Sequence, residues 1–451
     1  MVRRQTGDND MSKGKFTRRT FLQMTGLGVS TGLLAACVPV AAPSAEEAAM
    51  PEPVTVTFMV PGSTNEDADF APVFEEFNNR YPEIDGQYTP AGTGYGQAYN
   101  DKLLTMLSGG TAPDTFKTLF GYFGSLAEKD VYVPLDDYVA QHPDETVFDD
   151  FFDAHVNACV IKGQLLALPN DGAPEGIWYN ADLYDAAGLP YPDWDTTWSD
   201  MSAAGTALTQ VDGSITTHYG IGHPNWLGTI WSNGGEILNE DGTQCLLDSD
   251  EAIEALEWMQ SLVVDDGSAP GPEALSELGM FDRFTSGTLG SFWCVRGCLG
   301  GLRSIEDFQF DAAPLPLSNN GSRLTRLLIG WTSIWSGSEV PDEAYLLAAW
   351  ICSPEGQRLR ISRGYAHPSR KSLVEQDWYK NYECERCNSH AVNNVFPEML
   401  LRGEGRAWPA HPNESEIVQA ITTGLDSLWD GSKPAAQLAA DLTAEINGII
   451  G

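Results

Sequence analysis

Residues 54–77 read VTVTFMVPGSTNEDADFAPVFEEF and contain the pattern of a strand followed by the pattern of a helix. Apolar and polar residues alternate over 54–58, as they do in a strand with one buried face. Further on, apolar side chains recur at the i, i+3, i+4, i+7 spacing of one helix face, at Phe70, Val73, Phe74 and Phe77. Asp69 and Pro72 are residue types that suit the start of this helix. The stretch therefore predicts a strand-helix unit.

Strand and helix patterns continue to alternate along the rest of the chain. Helical spacing recurs at Leu103/Leu104/Leu107, Ile253/Leu256/Met259/Val263, Tyr345/Ala348/Ala349 and Leu438/Leu442/Ile446. Short β-like runs lie between them, at 165–168, 177–179, 291–295 and 327–329. Because strands alternate with helices throughout, we expect an α/β fold in which helices cover both faces of the sheets.

The composition restricts the possible classes of function. The 451 residues include 63 Asp and Glu against 26 Lys and Arg, which gives a formal net charge of −37. Such a polyanion repels nucleic-acid phosphates and anionic membrane surfaces, because binding to them needs clustered cations. Nucleic-acid binding is therefore excluded as a main activity. With 42% apolar residues the chain can build real cores, and its length suits two packed units better than one.

The N-terminus has the pattern of an export signal. Arg18 and Arg19 precede a mildly apolar stretch, Met24–Ala36, which is shorter than the roughly 20 residues that a membrane span needs. Paired arginines before such a stretch resemble a twin-arginine signal. The stretch ends in a sequence that resembles a lipobox, so that the thiol of Cys37 would carry the lipid. We predict a twin-arginine-type lipoprotein signal peptide at 1–36 and a lipidated linker at 37–53.

Two pairs of closely spaced cysteines lie in the second half of the chain, Cys294/Cys298 and Cys384/Cys387. Four thiolates could hold zinc, and each pair could act in redox chemistry or form a disulfide. A structural role is favoured, either a local disulfide at Cys384–Cys387 or a cross-link between the pairs, since the spacing alone is a weak signal and no redox fold signal flanks the pairs. We expect no metal and no cofactor.

Several stretches, taken in order, resemble one known family. They are 74–82, which begins FEEF, 99–114, which ends SGGTAPD, 178–198, which begins WYNADLY, 311–316, DAAPLP, and 353–357, SPEGQ. This ordered set resembles the extracellular solute-binding proteins of ABC transporters, family 1, the sugar-binding lipoproteins related to maltose-binding protein. The resemblance extends over residues 54–450.

The resemblance implies a two-lobed periplasmic-binding-protein fold of type II, with a ligand cleft between α/β lobes. Three segments would cross between the lobes, near Leu168–Pro174, Leu328–Ser333 and Tyr365–Pro368. The N-terminal lobe would then be 54–168 plus 333–366, and the C-terminal lobe 169–332 plus 367–451. Closure of the lobes around a ligand is a hinge motion, and a membrane permease would recognise the closed form.

A sugar-binding cleft needs flat aromatic faces for the apolar side of the sugar ring. Trp226 and Trp231 lie in a polar, glycine-punctuated stretch that suits a loop, and Trp331 lies on the second crossing. The resemblance implies that Trp293 and Trp408 also border the cleft. For each of these five tryptophans, packing in a core is the alternative.

A sugar-binding cleft also needs polar groups for the hydroxyls. Asp171 and Glu175 flank the first crossing and could accept such bonds, but turn capping by Asp171 and a solvated Glu175 are equally consistent with the sequence. Glu66 and Tyr122 follow predicted strands, where open α/β sheets bind ligands. Arg406 could bind the ligand through its forked guanidinium or form a surface ion pair.

These features predict the substrate-binding component of an ABC importer that captures a carbohydrate, in particular an oligosaccharide, and delivers it to permease subunits. We expect a monomer without catalytic residues, lipid-anchored at the outer face of the cytoplasmic membrane or in the periplasm. Polyamines, glycerol phosphates and iron complexes are alternative solutes for the same fold. Two other classes stay open: an exported acidic polysaccharide hydrolase using Asp171 and Glu175, and a surface adhesin.

Overall fold

The computed structural model describes residues 52–62, 64–362 and 367–451. The predicted signal residues Arg18, Arg19 and Cys37 lie outside these ranges. The strands of the described residues are β1 (Val54–Met59), β2 (Ile84–Tyr88), β3 (Thr115–Thr118), β4 (Val160–Ile161), β5 (Gln164–Leu165), β6 (Leu168–Asn180), β7 (Gln210–Asp212), β8 (Ile215–His218), β9 (Ser291–Val295), β10 (Phe310–Ala313), β11 (Thr325–Ile334) and β12 (Gly405–Arg406).

Helices alternate with these strands along the chain. The first group is α1 (Thr64–Arg80), α2 (Gln97–Ser108), α3 (Phe123–Ala127), α4 (Asp136–Gln141), α5 (Pro143–Thr146), α6 (Asp153–Asn157), α7 (Ala181–Ala187), α8 (Trp198–Leu208), α9 (Trp226–Ser232) and α10 (Asp250–Val264). The second group is α11 (Pro272–Glu277), α12 (Met280–Thr285), α13 (Leu299–Leu302), α14 (Pro341–Cys352), α15 (Pro354–Ile361), α16 (Lys371–Val374), α17 (Asp377–Lys380), α18 (Ser389–Leu401), α19 (Glu414–Trp429) and α20 (Ala435–Ile450). Short 3₁₀-helices lie at Phe148–Asp150 and Arg296–Cys298. The predicted α/β class is confirmed.

The main sheet has the strand order β10-β6-β11-β3-β1-β2, with β9 added beside β6 and β12 beside β11. β1 pairs in parallel with both β2 and β3. β11 runs antiparallel to β3 on one side and to β6 on the other. The two long strands β6 and β11 therefore join the parallel part of the sheet to the antiparallel part that contains β9 and β10.

β6 passes from one hydrophobic core to others. Its first residue, Leu168, packs in a core that also contains Val56 and Trp331. Further along the strand, Trp178 belongs to a second core and Ile177 to a third. The strand therefore connects separately packed regions, while the borders of the two predicted lobes stay a prediction. Residues 363–366, in the third predicted crossing, lie outside the described part of the chain.

The strand-helix unit at 54–77 is confirmed in type but not in its boundary. Phe70, Phe74 and the other predicted face residues of α1 are all buried. The helix begins at Thr64, however, and Pro72 lies inside it, so the prediction that Asp69 and Pro72 mark its start is wrong.

The prediction of a loop at Trp226 and Trp231 is also wrong, because both residues lie in α9. Asn225 caps this helix, since its side chain accepts the backbone N–H groups of Leu227 and Gly228 at 3.1 Å each. Asparagine is a strong N-cap residue, and this signal explains why a helix begins within a glycine-rich stretch.

Both close cysteine pairs form local disulfides, Cys294–Cys298 and Cys384–Cys387. The local pairing expected at Cys384–Cys387 is confirmed. The alternatives of a cross-link between the pairs and of a four-thiolate zinc site do not agree with this pairing. Within the described ranges, no helix is both long and apolar enough to cross a bilayer.

Glu414, in the first turn of α19, binds the segment that connects β3 to α3. Its carboxylate accepts the backbone N–H of Gly121 at 2.9 Å and that of Gly124 at 3.0 Å. The residue is buried, with 2% of its surface exposed. Burial raises the pKa of Glu414 to about 7, although the two N–H groups act to lower it. The ionised form is therefore less stable here than it is in water.

We expect Glu414 to contribute a measurable pH dependence to folding stability. Because its folded-state pKa lies above the ordinary value, its contribution is fully present below about pH 4.5 and is lost as the pH rises to about 7, a change of about 3 kcal/mol. Glu414→Gln should remove this part of the slope when urea unfolding is compared at about pH 5 and about pH 8. Glu416→Gln, at an exposed position in the same turn, should leave the slope intact. Equal slopes in wild type and Glu414→Gln would contradict the expectation.

Candidate functional site

A cavity of about 740 Å³ is lined by the segments that follow β1, β2 and β3 and by the long strands β6 and β11. It is lined by Glu66, Asp69, Tyr95, Gly96, Gln97, Asn100, Lys117, Leu119, Phe120, Tyr122, Asp171, Ala173, Val295, Gly297, Gly300, Gly301, Leu328, Ile329, Gly330, Arg360 and His367. The carboxyl ends of parallel strands are where open α/β sheets bind their ligands. The volume lies within the range typical of small-molecule sites. We call this cavity the cleft.

Three charged side chains lie at the base of the cleft. Asp171 Oδ2 lies 2.9 Å from Lys117 Nζ and 2.7 Å from Arg360 Nη2. The three side chains are 14%, 5% and 6% exposed, respectively. Arg360 also bonds the Asn170 side chain and lies 4.7 Å from the ring centroid of Phe70. Each cation is therefore held in a fixed place by Asp171.

The pairing sets the ionisation of the base of the cleft. Burial acts to raise the pKa of Asp171, but the neighbouring Lys117 and Arg360 cations outweigh burial and hold the pKa well below its ordinary value. Burial acts to lower the pKa of Lys117, and Asp171 overcomes that effect and raises it. All three groups are therefore charged at neutral pH. His367 is neutral there, since burial, with the nearby Arg296 cation, lowers its pKa to about 3.

A row of polar groups forms the rim of the cleft. The hydroxyl of Tyr95 donates to Glu66 Oε1 at 2.7 Å, and the backbone N–H of Gly62 donates to Glu66 Oε2 at 3.2 Å. The hydroxyl of Tyr122 donates to Gln97 Oε1 at 2.5 Å. Tyr95 is nevertheless 59% exposed, and Lys117 Nζ lies 5.4 Å from its ring centroid and 3.4 Å from its hydroxyl, so part of the ring is open to a molecule that enters. The rim therefore combines aromatic faces with oriented oxygen atoms.

The wall opposite the rim is apolar and contains several glycines. It consists of Val295, Gly297, Gly300 and Gly301, which lie at the end of β9 and in the short helices that follow. Leu328 and Ile329 of β11 form the floor beside it. An apolar wall with a polar rim can bind a solute that has one apolar face and several hydrogen-bonding groups.

Three predicted site residues come together in the cleft: Glu66, Tyr122 and Asp171. Glu175 lies on the same strand as Asp171, but it does not line the cleft. Its carboxylate binds Arg326 at 2.5 Å, and it is 5% exposed. Asp171 and Glu175 thus belong to different ion pairs.

The tryptophans do not line the cleft. Trp226, Trp231 and Trp408 pack in one core, where Trp226 and Trp408 are in edge contact. Arg406 lies 4.5 Å from the ring centroid of Trp231, and both of its terminal nitrogens bind Glu236, at 2.8 and 2.7 Å. Arg406 therefore forms an ion pair, which is the alternative to ligand binding that the sequence allowed.

Arg406 and Trp408 border a second cavity of about 880 Å³, which also includes His411 and Lys162. This cavity is larger than the cleft, but volume alone does not identify a binding site. The cleft contains the buried ion-paired constellation and lies at the carboxyl ends of β1 and β3, and we therefore regard it as the candidate site.

The other two predicted tryptophans have structural surroundings as well. Trp331 is 2% exposed, stacks on Phe123 with ring centroids 5.1 Å apart, and donates its Nε1–H to the carbonyl of Ala158 at 2.8 Å. Trp293 is partly buried and packs beside the core that contains Ile177. The structure therefore places these tryptophans in or beside a hydrophobic core, which is the alternative given for each of them.

Sequence reasoning missed Tyr95, Lys117, Arg360 and the glycine-rich wall. Tyr95 lies in the stretch 92–96, which the glycine content suggests is only a flexible loop. A signal for Lys117 does exist, because a lysine within a strand that is buried along its whole length, as β3 is, requires a partner. No local pattern identifies Arg360, since its partner Asp171 is distant in sequence.

Comparison with known proteins places the chain among exported binding proteins. The family model described as bacterial extracellular solute-binding protein matches residues 61–358. A protein of Brucella abortus named as a binding protein is 21% identical over 359 residues, which cover 77% of this chain and 82% of that protein.

Solved structures show the same fold. An ABC substrate-binding protein from Listeria monocytogenes in complex with cycloalternan has a TM-score of 0.75 and 22% identity, with 88% of this chain and 98% of that chain covered. UgpB from Mycobacterium tuberculosis in complex with glycerophosphocholine has a TM-score of 0.73 and 20% identity, with 88% and 98% covered. The predicted periplasmic-binding-protein fold is thereby confirmed.

Proposed function

The chain belongs to the bacterial extracellular solute-binding protein family, and from this premise we propose that the solute it captures is a carbohydrate, in particular an oligosaccharide. As a substrate-binding protein of an ABC transporter, it is an exported protein that takes up a small molecule and has permease subunits as partners. The members it resembles are binding proteins and not enzymes. The proposal concerns which solute the cleft holds.

The observation that carries the proposal is the balance of charge in the cleft. Its described lining includes the acids Glu66, Asp69 and Asp171 and the cations Lys117 and Arg360. Both cations are already bound to Asp171, so neither is available to neutralise a phosphate without breaking a buried pair. An uncharged solute requires no such exchange. This argues against glycerol phosphates and in favour of a neutral polyol.

The remaining surfaces suit a sugar ring. Tyr95, Phe120 and Tyr122 offer aromatic faces on one side, and the wall at Val295–Gly301 is apolar on the other. Glu66, Gln97 and Asn100 supply acceptors and donors for hydroxyl groups. A sugar has both kinds of surface, because its C–H faces are apolar and its edges carry hydroxyls. The Listeria structure, which contains cycloalternan, supports an oligosaccharide by its likeness.

A cationic solute is the second candidate. The described lining has one more acid than cations, and exposed aromatic rings attract ammonium groups. A polyamine or a choline-containing solute would use the same rim. An acidic hydrolase is less well supported, because Asp171 and Glu175 each bind a separate cation.

The N-terminal predictions remain part of the proposal. We propose that the twin-arginine signal at Arg18 and Arg19 directs export and that lipid on Cys37 holds the protein at the outer face of the membrane. The protein would act there as a monomer.

A thermal-shift screen tests the proposed solute. We expect cycloalternan, maltotriose or another oligosaccharide to raise the melting temperature, because a ligand that binds only the folded state stabilises it by mass action. Spermidine serves as the cationic comparison, and glycerophosphocholine as a comparison that carries both a phosphate and a choline ammonium group. A shift confined to spermidine would overturn the carbohydrate proposal, and release of reducing ends without a shift would indicate an enzyme.

A further inference from the structure

The glycine-rich wall of the cleft lies on a loop that is closed by a disulfide. Cys294 and Cys298 are bonded, with their Cα atoms 6.3 Å apart, and the loop between them contains Val295, Arg296 and Gly297. Val295 and Gly297 line the cleft, and Gly300 and Gly301 follow directly. This wall segment, 295–301, faces the rim formed by Tyr95 and Tyr122.

The start of this segment is held by a long strand pairing, and the rest of it forms only short helical elements. β9 ends at Val295, which pairs with Glu175 of β6, and the Cys294 carbonyl accepts the indole N–H of Trp178 at 3.2 Å. After that point the chain forms a 3₁₀-helix of three residues and α13 of four. Glycines lower the intrinsic order of such short elements, because they lose the most backbone entropy on folding. The disulfide therefore ties the far end of the loop back to the strand.

Arg296 fixes the face of the loop that points away from the cleft. It is fully buried, its Nη2 donates to Asn393 Oδ1 at 2.8 Å, and its guanidinium carbon lies 4.6 Å from the ring centroid of Tyr379. Arg296 holds one residue of the loop in the protein interior, and the disulfide joins the two ends of the same loop, in which Gly297 lines the cleft. Cys294 and Cys298 are positioning residues in this sense.

The disulfide lies in a part of the chain that is only partly buried. Cys294 and Cys298 are both partly exposed, whereas Cys159, Cys245 and Cys352 are buried free thiols. Access and thiolate attack govern the reduction of a disulfide. One thiolate of a dithiol attacks a sulfur of the pair, and the S–S bond breaks to give a mixed disulfide. The second thiol of the dithiol then attacks this mixed disulfide and releases the cysteine that was bound to the reagent. Two electrons and two protons have thereby passed to Cys294 and Cys298, and the dithiol leaves as a cyclic disulfide.

We propose that the Cys294–Cys298 disulfide holds the cleft wall in its binding position, so that reduction by a dithiol weakens solute binding. The proposal rests on the binding function of the cleft, but not on the solute being a sugar. The second disulfide, Cys384–Cys387, provides a control within the same chain. It packs beside the same core, has a Cα separation of 5.4 Å, and does not line the cleft.

The experiment compares wild type, Cys294→Ser/Cys298→Ser and Cys384→Ser/Cys387→Ser, each with and without dithiothreitol. The affinity probe is the solute with the largest thermal shift among cycloalternan, maltotriose, spermidine and glycerophosphocholine. Hydrogen exchange across 291–302 in the solute-free protein gives a second readout, which does not depend on any solute. Mass spectrometry after alkylation reports which pair is reduced.

We expect reduction to weaken binding at least tenfold, or about 1.4 kcal/mol, in wild type and in Cys384→Ser/Cys387→Ser. Cys294→Ser/Cys298→Ser should bind weakly under both conditions, and exchange should rise over 295–301 in step with each loss. An unchanged dissociation constant after verified reduction of Cys294–Cys298 would overturn the proposal, and so would a loss that follows only Cys384–Cys387. If Cys294→Ser/Cys298→Ser does not fold, wild type and Cys384→Ser/Cys387→Ser, measured with and without dithiothreitol, still test the proposal. If none of the solutes binds, the proposed function is contradicted. The exchange data would then still show whether the Cys294–Cys298 disulfide orders the wall segment.

Discussion

Asp171→Ala should destabilise the protein by about 3 kcal/mol or more, because it removes the common partner of two buried cations. Lys117 and Arg360 are 5% and 6% exposed, so neither can regain full hydration when Asp171 is removed. Lys117 can lose its proton at some cost, but a guanidinium stays charged. The free energy of unfolding, from urea titration at neutral pH, is the measurement.

Asp153→Ala is the matched control for Asp171→Ala. Asp153 binds Lys371 at the same 2.9 Å distance as Asp171 binds Lys117, but these side chains are 88% and 42% exposed. An exposed pair contributes about 0–1 kcal/mol, so this variant should unfold almost as wild type does. Adding Lys117→Met to Asp171→Ala should restore part of the lost stability, because one stranded cation is then removed. Similar losses in the two aspartate variants would show that burial does not determine the cost of breaking the pair.

The fold could be predicted because its signals are local. The apolar spacing of Phe70, Phe74 and Phe77 predicts the helix α1. The β-like run at 291–295 predicts a strand over the same residues that the structure assigns to β9, Ser291–Val295. Where such a signal was overlooked, as at the Asn225 cap of α9, the prediction was wrong. The predicted start of α1 was wrong because proline favours the first turn of a helix, whereas Pro72 lies inside α1.

The site could be predicted only where a loop follows a strand. This argument named Glu66 and Tyr122, and the predicted first crossing named Asp171; all three line the cleft. The ion-paired base of the cleft is a different matter, because Asp171 is 54 residues from Lys117 and 189 residues from Arg360. No periodicity or spacing links positions so far apart. The five predicted tryptophans lie outside the lining of the cleft, and the sequence does not separate the two cases, since a large aromatic ring can pack in a core as well as in a cleft.

Tyr95→Ala should weaken solute binding about tenfold to a hundredfold while the stability of the fold changes little. Tyr95 is 59% exposed, so truncation removes little buried surface, although it also removes the hydroxyl that lies 3.4 Å from Lys117 Nζ. Its ring is nevertheless an open aromatic face at the rim of the cleft, and its hydroxyl orients the Glu66 carboxylate at 2.7 Å. Loss of an aromatic platform together with an oriented acceptor removes two kinds of contact with one sugar ring. Titration calorimetry with the solute identified by thermal shift measures the effect.

Tyr191→Ala is the matched control for Tyr95→Ala, because it removes an exposed tyrosine that does not line the cleft. Tyr191 is 44% exposed, and its hydroxyl donates to Asp185 at 2.6 Å, a distance close to the 2.7 Å between Tyr95 and Glu66. It does not line the cleft, so its loss should leave the affinity unchanged. Tyr95→Phe divides the effect further, because the ring remains while the bond to Glu66 is lost. If Tyr95→Phe binds as wild type and Tyr95→Ala does not, stacking accounts for the affinity; if both bind weakly, orientation of Glu66 is required. Equal affinity of Tyr95→Ala and Tyr191→Ala would place solute binding outside the cleft.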